Sequence, residues 1–92
     1  MIKDVSLYVG YIEQRDIQRV EGIVADMLNM YSEPAKIAEK IRDSLYHALS
    51  RVYDVNVIKH DRAVTNEDYD YEITINERNH ESINFNTYGK FY

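Results

Sequence analysis

Cysteine and tryptophan are missing from this 92-residue chain, proline occurs once and glycine three times. Without thiols there is no disulfide, thiolate nucleophile or thiolate-held zinc. Packing alone must hold the fold, and a reducing compartment suits it. Gly10, Gly22 and Gly89 stand far apart, which excludes a glycine-rich loop cradling a phosphate and a glycine-flanked nucleophile elbow. Ser44 and Ser50 lie near His47 in sequence, but without such an elbow they do not make a hydrolase site. No apolar run approaches the ~20 residues of a bilayer span. The stretch from Val5 to Ile12 lacks the basic lead and small-residue cleavage pattern of a secretion signal. The expectation is no membrane partner and a place in the cytoplasm of the producing or infected cell.

Positive charge is the scarcer sign. Eleven Lys and Arg stand against sixteen Asp and Glu, a net charge of −5. The imbalance is uneven: seven basic and eight acidic residues run through Tyr53, then four and eight follow. A negative field repels nucleic-acid phosphate, whose capture needs clustered Lys and Arg, so direct nucleic-acid binding is not expected.

What is present is a pair of helix-periodic apolar stripes. Ile17, Val20, Ile23, Val24, Met27, Leu28 and Tyr31 form the first, and Ile37, Ile41, Leu45, Ala48, Leu49 and Val52 the second. The connector Tyr31-Ser32-Glu33-Pro34 between them predicts a helical hairpin. Asp16 is placed to cap the first helix and Ser32 the second, with Pro34 in the first turn, where its missing amide proton costs nothing. Gly22 falls on the polar side and costs about 1 kcal/mol relative to alanine, less than burial of the stripe returns.

Elsewhere the pattern has period two. Val5, Leu7, Val9 and Tyr11 alternate with Ser6, Tyr8 and Gly10, predicting a first strand. A second covers Val55 to Lys59, and Tyr69-Asp70-Tyr71-Glu72-Ile73-Thr74-Ile75 alternates cleanly enough to place its apolar positions in the core. Arg78-Asn79-His80 then reads as a hairpin loop into Ile83 to Tyr88, so the last three strands form a meander, with 61–68 a loop. The fold class is α+β: one domain over 1–92, order β-α-α-β-β-β, an antiparallel helical hairpin packed on a small, mainly antiparallel sheet. Where the first strand pairs is left open.

Four carboxylates, Glu67, Asp68, Asp70 and Glu72, crowd six residues, and strand geometry stacks the last three about 6.6 Å apart on one face. Such a row suits a basic groove on a protein partner; hard divalent cations also take carboxylate oxygens. An EF-hand fails, because Ile73 stands where glycine is needed. The plain alternative is a solvated strand face that discourages edge-to-edge pairing. Tyr8, Tyr88 and Tyr92 fall opposite the apolar set, and exposed tyrosine anchors interfaces because it buries much area at little rotamer cost. Lys36, Lys40, Arg42, His47 and Arg51 on the second helix are interleaved with Glu39 and Asp43, the pattern of a mixed solvated surface. His47, His60 and His80 match no zinc spacing.

The functional expectation is a non-enzymatic, cofactor-free protein-binding module whose partner surface comprises Glu67, Asp68, Asp70, Glu72, Tyr88 and Tyr92. A phage-encoded inhibitor of a host nucleic-acid-handling or defence protein suits its size, acidity and the abundance of Asn and Ile typical of AT-rich coding. The alternatives are a homo-oligomeric assembly subunit, such as a homodimer, and a metal-dependent enzyme using His60, Asp61 and the acidic row.

Overall fold

The structure, a computed structural model, describes residues 4–10, 12–61, 70–78 and 86–91, the last six by their backbone. The elements follow the expected order: β1 (Val5–Gly10), a 3-10 turn (Gln14–Asp16), α1 (Ile17–Met30), α2 (Pro34–Leu49), β2 (Tyr53–Lys59), β3 (Tyr71–Glu77) and β4 (Asn86–Phe91). The fold is α+β, a helical hairpin against one mixed sheet.

Sheet order is β2-β3-β1-β4. β2 and β3 pair antiparallel, as expected of strands joined by a loop. The meander ends there. β1 lies between the other two, parallel to β3 (Leu7↔Ile73) and antiparallel to β4 (Leu7↔Gly89), so β4 does not follow β3 in the sheet. The physical reason is the composition of β1. Five of its six residues are buried, and a strand so enclosed needs hydrogen-bonding partners along both edges. The parallel pairing requires a long crossover, which the helical hairpin and β2 supply.

The core joins Val20, Val24 and Leu28 of α1 and Ile37, Ile41 and Leu45 of α2 to Val5, Leu7 and Val9, Tyr53, Val55 and Val57, and Tyr71, Ile73 and Ile75. The alternation in β2 and β3 is as the sequence predicts. Each fully buried Ile, Leu or Val contributes about 1.5–3 kcal/mol over the exposed state. Two members of the second stripe fall outside it. α2 ends at Leu49 with Ser50 in the left-handed region (φ 56°), so Val52 lies beyond the helix and is 41% exposed. Ala48 is exposed as well, because the buried line of α2 runs at four-residue intervals through Ile37, Ile41 and Leu45.

Asp16 stands at the N-cap of α1 as expected, without the expected capping bond, and the cap of α2 is corrected. Asp16 closes the 3-10 turn in helical geometry (φ −93°, ψ −8°) and makes no side-chain capping bond. At α2 the cap residue is Glu33, not Ser32. Pro34 occupies the first turn and forces the residue before it into extended backbone (φ −82°, ψ 125°), which fixes the boundary one residue later. Ser32 serves otherwise: its carbonyl accepts a hydrogen bond from the Tyr71 hydroxyl at 2.9 Å.

Candidate functional site: the sheet face opposite the helices

Alternation in the strands assigns their second face. On it stand Asp54, Asn56 and Ile58 of β2, Glu72, Thr74 and Asn76 of β3, and Ser6 and Tyr8 of β1. At the centre Ser6 is only 2% exposed. A depression of about 290 Å³ opens here, lined by Ser6, Tyr8, Glu72 and Thr74. In register Ser6 faces Glu72 on one side and Lys90 on the other, while Tyr8 faces Thr74 and Tyr88.

The acidic row divides. Glu67 and Asp68 lie outside the described residues, as does Tyr92, and Tyr88 is placed by its backbone. Asp70 precedes β3 and acts as a joint: its Oδ2 accepts from the Asp4 amide at 3.0 Å, its own amide donates to the Asp4 carbonyl at 2.7 Å, and its carbonyl accepts from the His60 amide at 2.8 Å. It clamps the start of β1 and the end of β2 to the start of β3. Glu72 stands within β3, half-buried, at the rim of the central depression.

The basic residues of α2 are engaged singly. Lys36 pairs with Glu39 at 3.8 Å, and Lys40 lies 5.9 Å from the centre of the Tyr31 ring. Arg51, just beyond the helix, pairs with Glu77 at 3.3 Å, and that carboxylate raises the guanidinium above its ordinary value by charge attraction and hydrogen bonding. His47 is exposed, its ring edge-on to Tyr46; His60 is half-buried after β2; His80 lies outside the described residues. Among the described residues no group of three or more His, Asp or Glu could hold a metal ion, and no helix is long and apolar enough to cross a membrane.

Two tyrosines titrate high. Burial raises Tyr53, reinforced by Glu77 and opposed by Arg51; burial and then Asp70 raise Tyr71. Neither reaches the face opposite the helices, since both belong to the core.

A second feature escapes a reading of the sequence. Where α2 meets the outer rim of β2, a cleft of about 230 Å³ is lined by Arg42, Asp54, Val55, Asn56, Thr74, Asn76 and Arg78. The polar alternation at 54/56 and 74/76 signals that these residues share a face. Nothing in the helix pattern says that Arg42 reaches round the rim strand, where its Nη1 donates to the Val55 carbonyl at 3.5 Å.

No family model, curated protein or solved structure matches this chain.

Proposed function

We propose that this protein is a binding module for another protein, acting through the sheet face opposite the helical hairpin, around Tyr8 and Glu72. The observation that carries the reading is the two-layer arrangement. The hairpin packs on one side of the sheet, while on the other no described element lies over the depression formed by Ser6, Tyr8, Glu72 and Thr74. Tyr8 offers a flat amphipathic anchor and Glu72 a half-buried charge for a basic group on the partner. Glu67, Asp68, Tyr88 and Tyr92 belong to the proposal on their sequence pattern, and Asp70, whose carboxylate accepts from the Asp4 amide, also supports the start of β1. The acidity of the chain favours a partner that itself handles nucleic acid, and inhibition of such a host protein is the form of the function we favour.

The test is affinity purification from the native host with mass spectrometry, using the wild-type chain and the Tyr8→Ala/Glu72→Lys variant in parallel. A partner held by the wild type and lost by the variant, with the difference shrinking at high salt, supports the reading. Equal capture by both removes this surface from consideration. A second reading follows from the strand order, which puts β4 at one rim of the sheet, where a second copy would pair strand to strand. Sedimentation of the purified chain decides that: a stable dimer supports the assembly reading, and a monomer opposes it.

A further inference from the structure

We propose that the cleft at the rim of β2 is an oxyanion site, built to take a phosphate or carboxylate group. Two guanidinium groups, those of Arg42 and Arg78, line it. Arg42 spends a single N–H on the Val55 carbonyl, at the long distance of 3.5 Å, and no carboxylate among the described residues pairs with it. Arg78 donates through Nε and Nη2 to Asp54 Oδ1 at 3.0 and 2.8 Å. That pairing neutralises the one acid of the cleft and leaves Nη1 of the guanidinium for a ligand. Two arginines against one aspartate give the lining a net positive charge, inside a chain whose total is −5. The cleft therefore reverses the sign of the surrounding field.

The remaining polar groups are suited to the same ligand. Asn56 pairs in register with Thr74 and Asp54 with Asn76, so two side-chain amides and a hydroxyl share the lining with the guanidinium groups. These are donors that an oxyanion's lone pairs satisfy, and planar guanidinium groups bind such anions with charge-assisted hydrogen bonds. A cation finds only a carboxylate already in an ion pair. The volume, about 230 Å³, is below the range of pockets for drug-sized ligands, which fits a single anionic group better than a nucleotide. The site shares Thr74 with the depression around Tyr8 and Glu72, but neither guanidinium group belongs to that surface, so either proposal can fail without the other.

The test is an NMR titration of the full chain at low ionic strength with inorganic phosphate and, separately, acetate. It follows the Nε–H signals of Arg42 and Arg78 and the side-chain amides of Asn56 and Asn76. The expected result is saturable shifts concentrated at these groups, absent at the exposed Arg15 and Arg19, with the dissociation constant rising about tenfold in Arg42→Gln. Arg78→Gln provides a second reading if loss of the Arg42 contact unsettles β2. Saturation by one anion alone tells phosphate from carboxylate. Linear shifts with both anions, equal shifts at every arginine, or unchanged affinity in a variant with wild-type circular dichroism would overturn the proposal.

Discussion

The hydroxyl of Tyr71 donates to the carbonyl of Ser32, 2.9 Å away and 39 positions earlier in the chain. One bond thus ties the head of β3 to the connector between the helices, and it fixes how the hairpin sits on the sheet. Tyr71→Phe keeps the buried ring and removes only the hydroxyl. The expected loss is about 0.5–1.5 kcal/mol, since Ser32 is exposed and water replaces the lost donor. Urea denaturation measures it, and an unchanged midpoint would show that the bond contributes nothing. Tyr71→Ala also empties the ring's place in the core and costs about 3–5 kcal/mol, as large aromatic deletions do.

Alkaline stability follows from the same ring. Burial first, then Asp70, holds the folded pKa of Tyr71 above the ordinary value of 10.0, and burial with Glu77 does so for Tyr53. Below pH 10 both phenols are neutral in the folded and unfolded states, and their contribution is intact. Above it the unfolded chain ionises first, so stability falls as pH rises toward the folded values. Melting curves at rising pH should show a steeper loss for the wild type than for the Tyr53→Phe/Tyr71→Phe variant. Parallel curves would contradict the assignment.

The correction at the end of α2 separates two residues that the apolar stripe treats alike. Leu45→Ala should cost about 2–5 kcal/mol, because Leu45 is fully buried against the sheet. Val52→Lys should stay within about 0.5 kcal/mol, since Val52 lies beyond the helix and is 41% exposed. Denaturation midpoints of the two variants check both. A large loss in Val52→Lys would restore Val52 to the core.

Asp70 is expected to behave as a structural residue. Asp70→Ala removes the carboxylate that accepts from the Asp4 amide and should destabilise the fold by about 1.5–3 kcal/mol, the range for bonds to charged groups. Faster hydrogen exchange at the Asp4 and Ser6 amides would localise the effect to the start of β1. Unchanged exchange would show that the Asp70 carboxylate does not hold that strand in place. Reversing the charge at Asp70 would mix folding with binding, so the partner surface is tested at Glu72 and Tyr8, with the fold of each variant checked by circular dichroism.

The helices and the faces of β2 and β3 were legible because their signals are local. Ile37, Ile41 and Leu45 recur at helical spacing, and Tyr71, Ile73 and Ile75 alternate, whatever lies beside them. Strand order was not legible, because Val5, Leu7 and Val9 read the same at a rim or at the centre; the small Ser6 and Gly10 on the other side were the available hint. The start of α1 after Asp16 is legible as well, whereas α2 begins one residue later than a Ser32 cap implies, because Pro34 decides where that helix begins. At the candidate site the proximity of Glu72 and Tyr8 needed the β1–β3 register, and the approach of Arg42 to Asn56 and Thr74 needed the packing of α2 on β2.

The position of β1 governs how the molecule can be made. Both of its partners lie downstream of residue 70, so a ribosome has released most of the chain before the first strand has anything to pair with. Such distant closures are slow to form, and the nascent Val-Ser-Leu-Tyr-Val segment spends that interval exposed and prone to stick to other chains. Synthesis rate and chaperone supply should therefore bear on its yield more heavily than the small size of the protein suggests.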